Sequence, residues 1–267
     1  MSLSIRDLSA GYRKQRVLQH LNCSPIAAGS LVALIGPNAV GKSTLLKAVA
    51  GLLSYQGNIR LKDLDLATLT AAQRMRVLGY LPQTLPQPTS LVAYETVFSA
   101  CRSVRPDLSR PQIEAALEAV FQQLEISSLA FRKLAEMSGG QRQMIGLAQV
   151  LVRQPQLLLL DEPTSALDLH WQLNVLETVR SVTRQTGAIA LVASHDINLA
   201  LRFCDQLLVL GPGGLLAQGA PAEVLTPTLL RDTYGIEGRV EACSKGFPIV
   251  LTDRAVARPS LPAQVIS

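Results

Sequence analysis

The chain has 267 residues, 48% of them hydrophobic and 17% charged, which excludes a disordered chain and leaves room for one large α/β domain or a core with a subdomain. No uninterrupted apolar run approaches the roughly 20 residues that span a bilayer, and no basic stretch followed by an apolar block opens the chain, so it reads as cytosolic or peripheral to a membrane. The net charge of +5 is scattered and aromatics are only 4%, which argues against nucleic acid, while Cys23, Cys101, Cys204 and Cys243 lie too far apart for a zinc or disulfide pattern.

In chain order, Ser2 to Leu8 alternates apolar and polar residues, Gly11-Tyr12 marks a turn, and Val17 to Leu21 follows, giving a sheet ahead of residue 35. Tyr12 is equally placed to stack on a purine ring or to pack on that sheet. Leu31 to Ile35 is a short apolar run fit for a buried parallel strand, and Leu45, Leu46, Val49 and Leu52 follow at helical spacing. Between them, Gly36-Pro37-Asn38-Ala39-Val40-Gly41-Lys42-Ser43-Thr44 fits G-x-x-x-x-G-K-[ST], so a nucleoside triphosphate is the indicated ligand. The chemistry is electrostatic. Gly36 and Gly41 let backbone N–H groups curl toward phosphate, Lys42 supplies a cation, and the Ser43 hydroxyl is the Mg²⁺ ligand, leaving Thr44 as a helix-start contact.

Gly51 and Gly57 punctuate the next stretch, after which Asn58 to Leu61, with Leu64 and Leu66, resumes a strand pattern. A helix is predicted at about 70–76 and a strand over Val77 to Gln83, which puts Gln83 at a strand's carboxyl end, where parallel α/β sheets bind ligands. Pro111 to Phe121 is an amphipathic helix begun by proline. Residues 88–153 are mostly helical, a subdomain inserted into the sheet domain. Within it, Ser138-Gly139-Gly140-Gln141 opens a helix carrying Met144, Leu147, Ala148, Leu151 and Val152. Such a mouth is either an anion site or an ordinary serine cap.

Leu157 to Leu160 delivers Asp161 and Glu162 to a strand end, where Asp161 can hold Mg²⁺ and Glu162 can polarise the water attacking a γ-phosphate. Ser165-Ala166-Leu167-Asp168 leads into a helix that stops near Gly187. Ala188 to Ala193 is another buried strand, ending at Ser194-His195-Asp196, and His195 can reach the γ-phosphate or its attacking water. Gln206 to Leu210 and Gly214 to Ala217 make a closing hairpin, short helices follow at about 221–234, and Arg254 to Ser267 is a tail.

These pieces in this order resemble the nucleotide-binding subunit of an ABC transporter over residues 1 to about 250. Gly36 to Thr44 resembles Walker A, Gln83 the Q-loop, Ser138 to Gln141 the signature, Leu157 to Glu162 Walker B, Ser165 to Asp168 the D-loop, and His195 the switch histidine. The resemblance implies an α/β fold: a P-loop NTPase (RecA-like) core with an antiparallel β subdomain and an inserted α-helical subdomain. Residues 1–240 would be the ATP-binding domain and 241–267 a C-terminal extension and tail.

The same resemblance implies the cofactors ATP and Mg²⁺, Tyr12 as the adenine-stacking aromatic, and a catalytic set of Lys42, Gln83, Glu162 and His195. Ser43, Gln83 and Asp161 would serve the metal. Ser138, Gly139, Gly140, Gln141 and Asp168 would join a nucleotide held by a second copy, in a head-to-tail homodimer. It further implies permease partners, an indirect link to a substrate-binding protein, and a peripheral place on the cytoplasmic face of the inner membrane. Met137 replaces the usual leucine before the signature, a near-isosteric swap. Ala39 stands where the family usually has glycine, tolerable if its φ is negative. The stretches Ser194 to Ala200, Phe203 to Asp205, Ala217 to Pro221 and Tyr234-Gly235 look like importers of ferric siderophores, haem and cobalamin. A soluble ABC ATPase acting on nucleic acid or ribosomes is the alternative, and Glu162 with His195 speaks against a module that binds nucleotide without turnover.

Overall fold

A computed structural model describes residues 2–13, 15–85 and 89–257. The chain opens with β1 (Ser2–Tyr12) paired antiparallel to β2 (Gln15–Ala27). Tyr12 closes β1 instead of forming the turn, and Arg13 takes the left-handed conformation there with φ 53. Gly11 is required by close approach, since a Cβ on it would lie 2.1 Å from the Gln15 carbonyl oxygen.

Every residue of β3 (Leu31–Ile35) is buried, and α1 (Lys42–Val49) begins straight after the loop that follows it. Helix α1 stops short of Leu52, which was predicted to share its face. Gly51 turns left-handed with φ 70, and Leu52 is left 65% exposed. β4 (Tyr55–Leu61) and β5 (Leu64–Asp65) complete a four-stranded sheet in the order β2-β1-β4-β5.

Helix α2 (Ala71–Val77) starts at a reciprocal cap between Thr70 and Gln73 and claims Val77, so β6 (Leu78–Leu81) is shorter than the predicted 77–83. The inserted helices are α3 (Ala93–Val104), α4 (Arg110–Gln123), with Pro111 at its second position, and α5 (Gly139–Leu151). Then come β7 (Leu157–Asp161), α6 (Leu169–Thr186), β8 (Ile189–Ala193), α7 (Ile197–Phe203), β9 (Gln206–Gly211) and β10 (Gly214–Gly219). Short helices α8 (Pro221–Val224) and α9 (Pro227–Tyr234) lead into a hairpin of β11 (Ile236–Ala242) and β12 (Pro248–Ala255).

The central sheet runs β10-β9-β3-β8-β7-β6, parallel except for β10 at its edge. Because successive strand side chains point to opposite faces, it divides the interior in two. Leu158, Leu160, Ala190 and Val192 face the helical side, while Leu157, Leu159, Ile189 and Leu191 face α1 and the antiparallel sheet. Each fully buried leucine contributes about 1.5–3 kcal/mol. Both faces are therefore sealed, and the loops that leave the carboxyl ends of β3, β6, β7 and β8 are the places where chemistry can reach solvent.

The final hairpin was not foreseen. It crosses the boundary drawn at 240/241, because Val240 lies inside β11 and pairs with Val250, and it takes Arg254 and Ala255 out of the proposed tail. It is tied to α7 by Asn198, whose Oδ1 accepts from Val250 N at 2.7 Å while its Nδ2 donates to Val250 O at 3.3 Å. The rest of the proposed tail, from residue 258, lies outside the described residues, as does the segment 86–88.

Candidate active site

The loop after β3 is shaped by conformations that side chains disfavour. Gly36 has φ 144, and a Cβ there would lie 2.2 Å from the Leu210 carbonyl oxygen; Gly41 precedes α1 with φ 110. Ala39 has φ 65, so the negative φ that would make alanine unstrained there is not met. The loop demands a left-handed residue at that place, and alanine holds it at a cost of about 1–2 kcal/mol. Lys42 is only 5% exposed, and its Nζ donates to the Gly36 carbonyl at 2.7 Å and the Pro37 carbonyl at 3.0 Å. Burial lowers the lysine pKa, and the nearby carboxylates of Glu162 and Asp161 oppose that shift. Burial raises the pKa of the Tyr234 phenol of α9, and the Gly36 backbone opposes that shift.

Asp161, 1% exposed, has one oxygen for each of two hydroxyls. Ser43 Oγ donates to its Oδ1 at 2.9 Å and the Tyr80 hydroxyl to its Oδ2 at 3.4 Å. Burial raises the Asp161 pKa, and the bond from Ser43 pulls it back. The donor set is hydroxyl and carboxylate oxygen, which suits a hard divalent cation such as Mg²⁺. Glu162, the next residue, sits left-handed with φ 54 and is held by its N–H donating to Ala193 O at 3.2 Å. Its side chain is clamped from beyond the ends of two strands: Gln83 Nε2, after β6, donates to Oε2 at 2.8 Å, and His195 Nε2, after β8, meets Oε1.

Tyr12, Asn38, Ala39, Gly41, Lys42 and Ser43 line a cleft of about 510 Å³, with Thr44, Gln83, Glu162 and His195 on its walls. Tyr12 is 46% exposed, with the Lys47 ammonium 6.0 Å from its ring centre. An exposed aromatic ring, a lysine and the glycine-bearing loop in one cleft fit a ligand with a base and a phosphate chain. Gln15 and Val17 of β2 also line this cleft. Sequence reasoning missed them, and it missed Tyr80; the alternation of β2 was the available signal for Val17, and nothing local marked the others.

Other predicted residues lie elsewhere. Val40 packs into the core at 9% exposed, and neither it nor Pro37 lines the cleft. Ser138 caps α5 by accepting from Gln141 N at 3.2 Å, and the Gln141 side chain answers by accepting from Ser138 N at 3.1 Å. A Cβ on Gly139 would meet nothing within 4 Å, whereas one on Gly140 would lie 2.9 Å from the Ala166 carbonyl oxygen. Asp168 caps α6, accepting from Trp171 N at 3.1 Å. None of Ser138, Gly139, Gly140, Gln141 or Asp168 lines the cleft that holds Lys42.

Residues 18–165 match the ABC transporter family. A hemin import ATP-binding protein of Bordetella avium is 38% identical over 90% of this chain and 94% of its own length. An achromobactin transport ATP-binding protein of Dickeya dadantii is 34% identical over 90% of each chain. Among solved structures, an ATP-binding subunit of an ABC transporter aligns at TM-score 0.74 and 29% identity over 82% of this chain and 90% of that one. A chain from a metal-chelate type ABC transporter in an inward-facing conformation aligns at TM-score 0.77 over 95% of this chain and 98% of that one; at 24% identity it speaks for the fold alone. The chain therefore belongs to the ABC transporter family as an ATP-binding ATPase subunit.

Proposed function

We propose that this chain is the ATP-hydrolysing subunit of an importer for an iron chelate, haem or a ferric siderophore, acting with Mg²⁺ at the cytoplasmic face of the membrane beside permease subunits and, through them, a substrate-binding protein. The observation that carries the catalytic part is the Glu162 carboxylate held between Gln83 and His195 at the mouth of the cleft containing Lys42. The cargo class rests on the hemin and achromobactin relatives. No helix among the described residues is long and apolar enough to cross a membrane, which accords with permease chains supplying the path.

Lys42 exchanges its bonds to the Gly36 and Pro37 carbonyls for phosphate oxygens, so the loop opens its amides as the lysine turns away. Glu162 accepts a proton from the attacking water, with Gln83 and His195 fixing both of its oxygens so that the carboxylate is already aimed. Ser43 and Asp161, with Gln83, would hold Mg²⁺, which when bound supplies charge neutralisation on the β- and γ-phosphate oxygens.

The second half of the site is proposed to come from another copy. What supports this is the mouth of α5, where Ser138 is exposed and the space over Gly139 is open, away from the cleft of its own chain. Head-to-tail closure would bring Ser138 and Gly140 of one copy onto the phosphate held by Lys42 of the other. The test is size measurement of Glu162→Gln with and without ATP: dimer with ATP is expected, Ser138→Arg should abolish it, and a monomer throughout would sink the closure. For cargo, cells lacking the gene should regain uptake of haem or a ferric siderophore with the wild-type chain and not with Glu162→Gln.

A further inference from the structure

Asp161 is buried at 1% exposure, so no water shell fixes how its carboxylate is turned. Its orientation is set by two hydroxyls on opposite oxygens, Ser43 on Oδ1 and Tyr80 on Oδ2. A carboxylate anchored at one oxygen can swing about its Cβ–Cγ bond; anchored at both it cannot. Strand register makes the second anchor possible. β6 lies beside β7 with Tyr80 opposite Leu159 and Leu81 opposite Leu160, which brings the Tyr80 hydroxyl to the end of β7 where Asp161 stands. The ring itself packs with the core on the α1 side of the sheet, a task phenylalanine would perform equally. The hydroxyl is what that packing leaves unexplained.

We propose that Tyr80 is a positioning residue of the metal–nucleotide site, its hydroxyl holding Asp161 Oδ2 so that Oδ1 stays turned toward Ser43. The proposal rests on the reading of Ser43 and Asp161 as the Mg²⁺ holders. It adds a coupling: Tyr80 lies three residues before Gln83 on the same strand and loop, so a shift of the Gln83 segment reaches Asp161 as well as Glu162. Tyr80 touches neither phosphate nor water in this scheme.

The test is a MgCl₂ titration of binding of a fluorescent ATP analogue, starting from EDTA, for the wild-type chain and Tyr80→Phe, with hydrolysis suppressed in both by Glu162→Gln. The expected result is unchanged affinity in EDTA, within about twofold, and a half-saturating Mg²⁺ concentration raised about fivefold, the effect of losing one long hydrogen bond of ordinary net strength. The midpoint is a concentration and not an amplitude, so partial misfolding of the variant would shrink the signal without moving it. An unmoved midpoint would overturn the proposal, as would an affinity in EDTA that falls while the midpoint stays, since that marks a residue that only packs. A chain with wild-type Tyr80 that ignores Mg²⁺ would overturn the metal site first and this role with it.

Discussion

Gln83 Nε2 donates to Glu162 Oε2 over 2.8 Å, linking the loop after β6 to the residue after β7, while His195 arrives from the end of β8 on the other oxygen. Three adjacent strands therefore meet at one carboxylate. Exchanging that carboxylate for an amide keeps the size of the group and removes the proton acceptor. Glu162→Gln is expected to lower ATP turnover by at least about 10²-fold, with nucleotide binding retained. Phosphate release measured at saturating ATP checks this, and undiminished turnover would remove Glu162 as the base.

Lys42 is buried, and its Nζ is held by two loop carbonyls. Lys42→Ala removes the cation without filling its place, and nucleotide affinity should fall roughly 10- to 100-fold, the range for hydrogen bonds to charged groups. Equilibrium binding of a fluorescent ATP analogue gives the number. Affinity equal to wild type would contradict the phosphate assignment.

Ala39 holds φ 65 where glycine would be unstrained. Ala39→Gly is expected to stabilise the chain by about 1 kcal/mol, a rise of roughly 2 °C in thermal midpoint. Calorimetry decides the sign. A midpoint lowered by the same amount would mean that glycine's freedom in the unfolded chain outweighs the relieved strain.

The four cysteines differ sharply as nucleophiles. Burial pushes the thiols of Cys23 and Cys204 up to about 12 and raises that of Cys101. Cys243, in the turn of the last hairpin, is lowered, chiefly by a backbone hydrogen bond at Lys245. A raised thiol stays protonated and inert at neutral pH, and a lowered one is thiolate from a lower pH than usual. Iodoacetamide at pH 7.5 should therefore label the native chain once, at Cys243, with a rate that holds up as pH falls; urea should expose all four. Peptide mass spectrometry reads the sites, and equal labelling of Cys101 in the native state would contradict the burial argument.

What the sequence disclosed was what lies close together along it. The β3 run, the phosphate loop and the start of α1 are contiguous, so their chemistry could be read from one short stretch, as could the delivery of Asp161 and Glu162 by β7. The hydroxyl of Tyr80 on Asp161 was hidden because it depends on β6 lying beside β7, a pairing of segments with the whole helical insert between them. The φ of Ala39 stayed open because residue type gives only a preference for φ, and here the loop sets it. The last hairpin was missed since β11 is short of buried apolar residues and β12 ends in charged, exposed ones; its anchor, Asn198 on Val250, is again a long-range bond.

Gly36, pressed against the Leu210 carbonyl of β9, makes the order of synthesis matter. Leu210 is joined 174 residues after Gly36, while folding during synthesis tends to start from the N-terminal side. The nucleotide loop thus lacks part of its backing until β9 has been made, and a nascent chain stalled just short of that strand would carry Lys42, Glu162 and His195 beside a loop without that wall.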